Sequence, residues 1–193
     1  MGIFGSPFFS CINNNMANIL SCPVPSNVNP LSSNGFRFNI AKLPELQYFC
    51  QEVNIPGITL GEPAMFNPFA QVPIPGETLT YDTLNVKFMI DADMSNYIAI
   101  YNWIVALGFP QSYEQYIAFV SKDQRGILGE LAKNYSGATL QILNNTNNPV
   151  KTVNFTDMFP VSLGTLNFQS TSQDVNYLIG DATFRFSYYT FTI

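Results

Sequence analysis

Histidine is missing altogether from this 193-residue chain. Its absence removes the commonest general base and the commonest neutral metal ligand. Charge is scarce as well. Asp, Glu, Lys and Arg make up 11% of the residues, against roughly a quarter in ordinary soluble domains. The 8 basic residues are outnumbered by 13 acidic ones, the net charge is −5, and no basic cluster occurs. Tight binding to a phosphate backbone is therefore excluded as a main activity. The three cysteines, Cys11, Cys22 and Cys50, are an odd count with no CxxC spacing. They form neither a disulfide framework nor a zinc site and are read as inert thiols in a reducing compartment. No apolar run reaches the ~18 residues of a membrane span. The N-terminus lacks the basic region and cleavage site of a secretory signal.

Motifs for chemistry are equally sparse. There is no GxGxxG and no phosphate-binding loop. Serines are plentiful, but no base is available to activate one in a triad. Asp91 and Asp93 stand two apart, and their expected roles are a polar strand end and a helix cap, with the Asp93 carboxylate accepting from free N–H groups of the first helical turn. Neither an enzyme nor a cofactor is expected. Met1 to Ser6 fits a loose myristoylation pattern, and Asn134, Asn144 and Asn154 open glycosylation sequons; these are read as by-products of a chain rich in Gly, Ser and Asn.

What is present is apolar. Hydrophobic residues make up 47% of the chain and aromatics 15%. So little charge on so apolar a chain implies that much of its surface is buried against other chains, because charge is what interface cores lack. Residues 1–33 hold Phe4, Phe8, Phe9, Ile12, Ile19 and Leu20 among Asn, Ser and Pro, without periodicity. They are read as an N-terminal arm ordered by a neighbour. Residues 34–193 are read as one β domain.

Along that domain, Phe36, Phe38 and Ile40 alternate with polar residues and predict a strand. A turn at Lys42–Glu45 and a second strand over Leu46–Asn54 follow, stopped by Pro56-Gly57. Residues 55–80 form a long loop with five prolines and three glycines, uncharged over most of its length. Loops of that length in a compact domain are functional or disordered, and Met65, Phe66, Phe69, Val72 and Ile74 argue for a contact surface. Val72–Leu79 is a candidate hairpin. Thr83–Ala92 predicts the clearest strand. Met94–Leu107 predicts a helix whose apolar stripe is Met94, Tyr97, Ile98, Tyr101, Ile104 and Val105, widened by Ile100 and Trp103; it is expected to cover a face or an open end of the sheet. Residues 111–137 read as an irregular insertion, with Gln115–Val120 either helix or strand. Ala138–Leu143 and Val150–Phe155 predict a hairpin around Asn144–Pro149. Asp157–Pro160 bends the chain, Val161–Phe168 is a further extended run, and a last strand starts near Asn176–Ile179 and runs over Ala182–Ile193. The expected fold is mainly β (α+β): an antiparallel sandwich or small barrel with one flanking amphipathic helix.

Several of these segments, in order, resemble the tail tube proteins of contractile-tailed bacteriophages and the related baseplate proteins that initiate the tube. Phe36-Arg37-Phe38-Asn39-Ile40 resembles the first tube strand, and Asn54-Ile55-Pro56-Gly57 the turn that leaves the second. Ile74-Pro75-Gly76-Glu77-Thr78-Leu79-Thr80-Tyr81-Asp82 is similar to the return from the long loop. Leu84–Asp93 followed by Asn96-Tyr97 and Trp103 resembles the family's strand and helix. Phe159–Leu163 and Ala182–Tyr189 resemble its last strands.

The resemblance implies a homo-oligomer: hexameric rings stacked into a tube, with sheets joined around the ring and the long loop reaching the next ring. It implies a structural role in the virion, assembled in the host cytoplasm, as the channel for DNA ejection. DNA would pass through the lumen without tight binding, and the partners would be tail sheath, baseplate and tape-measure proteins, with no membrane. Met65, Phe66, Phe69, Val72 and Ile74 become the expected inter-ring contacts. A baseplate tube initiator of the same fold is the alternative reading, and a lipocalin-like barrel for a small ligand is a more remote one.

Overall fold

The computed structural model describes residues 30–66, 69–108, 112–117, 134–169 and 177–192. The chain divides into two compact units, Met1–Leu31 and Ser32–Ile193. The predicted N-terminal arm lies almost wholly outside the described residues, and so does most of the predicted insertion at 111–137, of which 114–117 are helical.

The second unit is mostly antiparallel β, as its alternating segments dictate. In chain order it runs β1 (Phe36–Ile40), α1 (Leu46–Phe49), β2 (Cys50–Val53), β3 (Ile58–Leu60), β4 (Ala64–Phe66), β5 (Gln71–Pro73), β6 (Leu79–Tyr81), β7 (Leu84–Met89), α2 (Ser95–Gly108), β8 (Ser136–Leu143), β9 (Pro149–Leu163), β10 (Ile179–Arg185) and β11 (Tyr188–Thr192). The main sheet has the order β1-β8-β9-β10-β7-β2, with β11 also on β9.

The long strand β9 makes two faces out of this one path. Its first half pairs with β8 and β11, and its second half pairs with β10. At the change-over Asp157 has φ 55° and the β8 register slips between Ser136 and Ala138. A left-handed residue beside a register slip is the geometry of a β-bulge, which bends a strand, and Asp tolerates that conformation better than most residues. The predicted bend is therefore real. The run after it is a continuation of the same strand to Leu163, not a separate one to Phe168. The last predicted strand likewise divides. β10 ends at Arg185, Phe186-Ser187 turns a corner, and β11 returns to the other half of β9, with Ser187 N–H on the Thr156 carbonyl at 3.0 Å.

Inward-facing residues fill the space between the two halves. Phe38, Ile40, Leu84, Val86, Phe88, Leu140, Val153, Phe155, Met158 and Phe184 are all buried. The burial of β7 alternates strictly over its first five residues, which is why it was the clearest strand in the sequence. The hairpin β8–β9 turns at Asn147, φ 60°, while the Asn144 side chain accepts from Thr146 N–H and Asn148 N–H, each at 2.9 Å. Asn at such a tip does what its short amide allows.

Two further expectations need correction. Leu46–Phe49 is a helical turn, not the start of β2. Pro44 can open such a turn, since its missing N–H has no helical partner there, and Gln47 N–H bonds to its carbonyl. The turn drives Leu46 into the core and leaves Tyr48 outside. The helix α2 buries only part of the predicted stripe: Ile100 and Trp103 are in the core and Tyr97 and Ile104 pack against it. Its buried residues are Asn96, Ile100, Trp103 and Ala106, while Ile98 and Tyr101 are exposed. The helix is apolar nearly all round, so spacing alone did not select a side.

Cys50, at the start of β2, is held by burial at about pH 11, above the ordinary thiol value, against a smaller lowering by its bond to the Glu52 carbonyl. The thiolate is the reactive form. In a Cys11→Ser, Cys22→Ser background, Cys50 is expected to react with a maleimide at pH 8 about 100-fold more slowly than a free thiol of ordinary pKa. A rate near that of a small thiol would mean the β1–β2 seam opens in solution.

Candidate assembly interface

No group of three or more potential metal-binding side chains occurs among the described residues. The interior is filled by Phe38, Phe88, Phe184 and Trp103 rather than left as a ligand cavity. An open depression of about 450 Å³ lies along the β1–β2 seam, lined by Phe36, Arg37, Phe38, Pro44, Gln47, Tyr48 and Cys50. No helix among the described residues is long and apolar enough to cross a membrane. What stands out is a projecting arm.

The arm is built from the segment between β2 and β7. Its root is held on three sides. The Asn54 side chain accepts from Asn85 N–H at 2.6 Å and donates to the Thr83 carbonyl at 3.1 Å. The Tyr189 hydroxyl donates to the Pro56 carbonyl at 3.2 Å. The Tyr81 ring lies 5.6 Å from both Phe186 and Tyr189, so the arm's last residue is stacked into the core. Next comes a short ladder in which Ile58 pairs with Tyr81 and Leu60 with Leu79. Prolines and glycines then interrupt the pairing, because proline cannot donate to a ladder. A second ladder pairs Ala64 with Pro73, Met65 with Val72 and Phe66 with Gln71. The long loop is thus a two-part β-hairpin, and Val72–Leu79 is not a hairpin of its own but its returning side, with Val72 paired to Met65 and Leu79 to Leu60.

Between the two ladders Gly76 N–H bonds to the Gly61 carbonyl. A Cβ on Gly76 would collide with that same backbone carbonyl. Gly76→Ala is expected to break this junction and redirect the outer ladder, with a loss of ~1–3 kcal/mol confined to the arm. Amide exchange at Met65 and Val72 should accelerate while exchange in β7 and β10 stays unchanged. Equal acceleration in the core strands would show the arm and sandwich to be one cooperative unit.

An isolated two-stranded hairpin is at best marginally stable in water. This one exposes apolar side chains along its length. Phe66 is 83% and Phe69 95% exposed, and Met65, Val72 and Ile74 are also exposed. The five residues singled out in the sequence therefore lie together on the outer part of the arm. Ile58, Leu60 and Leu79 extend the exposed apolar surface toward the root; their alternation with Thr59 and Thr80 was the signal for it. Asp93 lies in the turn two residues before α2. In that turn the Asp91 carboxylate accepts from Ala92 N–H at 2.7 Å and from the Ser95 hydroxyl at 2.9 Å, and Met94 takes φ 54°.

The sheet half that carries the arm has a mixed outer face. Lys87 stands opposite Asp181 on β10 and Glu52 on β2. Its ammonium lies 2.8 Å from Glu52, and that hydrogen bond raises the lysine pKa, with lesser help from the Glu52 and Asp181 charges. Both side chains are half exposed or more, so the pair contributes little to stability. Its effect is to balance that lysine's charge locally.

Comparison with known proteins comes out on the side of assembly. A family model described as phage tail tube protein matches residues 16–192. The fold is similar to a chain of the sheath-tube complex of an extracellular contractile injection system in the extended state, at 13% identity and TM-score 0.52, covering 84% of this chain and 91% of that one. It is similar to a chain of the anti-feeding prophage tube-terminating cap, at 13% identity and TM-score 0.55, covering 91% and 99%. It is also similar to a chain of the 6-fold symmetrised anti-feeding prophage baseplate, at 13% identity and TM-score 0.54, covering 86% and 97%. The search of curated proteins returned no match.

Proposed function

We propose, for a chain that belongs to the phage tail tube protein family, that six copies close into a ring and that rings stack through the projecting arm into a tube. The family is a structural one, so the chain is a component of a phage or injection-system particle and not an enzyme. The observation that carries the finer reading is the arm: a rooted hairpin with Phe66 and Phe69 almost wholly in solvent. Exposed apolar surface on a rigid projection marks a contact with another molecule.

Ring closure has support in the strand directions. The half-sheet β9-β10-β7-β2 is antiparallel at every step. With four strands its outer edges, Phe159–Leu163 and Cys50–Val53, run in opposite directions, and no pairing beyond them occurs among the described residues. A neighbour generated by rotation about an axis along the strands brings one edge against the other as an antiparallel pair. Such head-to-tail contacts close into rings when the rotation divides the circle. The number six follows the family resemblance and the symmetry stated for the similar baseplate. Sheath and baseplate are the expected neighbours, and a tape-measure protein is the expected occupant of the lumen before DNA.

For the channel, the relevant property is weak attraction. Glu52 and Asp181 accompany Lys87 and Arg185 on the outer face of this half-sheet, and the whole chain is net negative. A wall without excess positive charge lets DNA pass without a strong counterion-release contribution to binding. Assembly would take place in the host cytoplasm.

Negative-stain microscopy of the purified chain, combined with its mass in solution, tests this reading. Rings and tubes are expected. A monomer that yields neither at high concentration, nor on addition of preformed baseplates, would sink it. A tube-initiating subunit of the same fold would instead form one ring and stop, and copy number per particle separates the two.

A further inference from the structure

We infer that the end of the sandwich opposite the arm receives the arm tip of the next copy, with Ile98, Phe168, Tyr177 and Ile179 as its contact residues; this rests on the stacking reading above. The strand registers place the two surfaces. Val53 pairs with Val86 and Phe184 with Leu84, at the end from which the arm leaves. Ile179 pairs with Met89, at the other end of the same strands. Five steps along β7 separate the two ends by about 17 Å.

Three separate segments meet at that far end. β10 begins there with Ile179, preceded by Tyr177. The chain leaving β9 runs toward it, because Gly164 N–H bonds to the Asp181 carbonyl, and Phe168 follows. The Tyr97 hydroxyl bonds to the Gly164 carbonyl at 3.2 Å, which brings the first turn of α2, with Ile98, to the same place. All four apolar side chains are exposed, from Ile98 at 46% to Tyr177 at 73%. The core uses none of them.

Charge selects the occupant. The charged residues of these segments are acidic, Asp91, Asp93 and Asp181, with Lys87 opposite Asp181 as the facing cation. An acidic partner or a polyanion is repelled there. The arm tip, Pro63 to Pro75, carries no charge at all, and the arm's own acids, Glu62 and Glu77, lie behind it at the junction of the two ladders. An uncharged apolar tip can therefore enter a site rimmed by carboxylates while the arm's carboxylates stay outside. Donor and receiver lie at opposite ends of one set of strands, so the contact is head-to-tail and propagates without closing, as a tube requires.

The test uses two full-length double variants. The donor-deficient chain is Phe66→Ser with Phe69→Ser, and the receiver-deficient chain is Tyr177→Asp with Ile179→Asp. Should the latter fail to fold by circular dichroism, Phe168→Asp with Tyr177→Asp replaces it, since both residues lie outside strands. Each variant alone is expected to lose tubes. Mixing them restores one contact per pair, because an intact arm meets an intact receiver once, so sedimentation should show the mass double and go no further. If the receiver-deficient chain polymerises like the parent while the donor-deficient one does not, this inference is overturned and the arm reading survives; the far end then belongs to another partner, such as a basic one. If the donor-deficient chain polymerises, the arm reading itself fails. If neither variant polymerises and the mixture gains no mass, the two surfaces do not meet.

Discussion

Replacing Phe66 and Phe69 together with serine is expected to abolish ring stacking and leave the fold untouched. Fully burying a phenylalanine stabilises by about 1.5–3 kcal/mol, so the pair contributes roughly 3–6 kcal/mol per arm, or about 10²–10⁴ in each contact's association constant. That loss recurs at every arm around a ring, and the concentration needed for tubes should rise beyond practical reach. The sandwich should not notice, because both rings already stand almost wholly in water in the single chain. The thermal midpoint of unassembled protein should shift by no more than a degree or two, on the scale of surface substitutions. Turbidity and microscopy read the first quantity, calorimetry the second. Normal tubes from the double variant would remove the arm from the stacking contact.

Trp103→Ala is expected to give the opposite pattern: assembly lost because the subunit itself fails. Trp103 is 1% exposed. It leans on Phe184 with ring centroids 6.4 Å apart, donates from Nε1 to the Asn134 carbonyl at 3.2 Å, and lies under the Lys42 ammonium at 5.3 Å. Emptying such a site costs ~3–5 kcal/mol, a large share of a typical 5–15 kcal/mol. For a domain of this size the midpoint should fall by roughly 6–20 °C. Tyr101→Ser, two residues earlier on the exposed side of α2, is the control and should stay within about 1 kcal/mol. Equal losses at the two positions would mean that the helix is rotated from the orientation described.

The same helix shows where sequence reading ran out. In Ser95–Gly108 an apolar residue can be found on almost any face, so the predicted stripe took in the exposed Ile98 and Tyr101 together with the buried Ile100 and Trp103. Only the sheet beneath it decides, through Asn96 and Trp103, and that sheet is assembled from distant parts of the chain. Phe36–Ile40, Leu84–Met89 and the hairpin around Asn147 were legible because period-two burial and turn chemistry are local properties. The turn at Leu46 was not, since Leu46, Tyr48 and Cys50 alternate equally well in a strand. Nor was the double membership of β9, which depends on Asp157 adopting a left-handed conformation that its side chain permits but does not demand. For the arm, composition singled out Met65, Phe66 and Phe69, which are exposed. It gave no pairing register, and it did not single out Tyr177 and Ile179, whose neighbours Gly180 and Ala182 read simply as a strand turning inward.

The pairing of β1 with β8 sets Phe36 against Ile142, and the pairing of β7 with β10 sets Leu84 against Phe184. Such a topology has a high contact order, and loop closure over those lengths must be met before either pairing is rewarded. On the ribosome, neither half of the sandwich can be completed until β10 and β11 have emerged. Until then the arm has no rooted base, because Tyr81 and Pro56 are anchored by Phe186 and Tyr189. A nascent chain therefore cannot hold the arm in its final orientation before those two strands are in place.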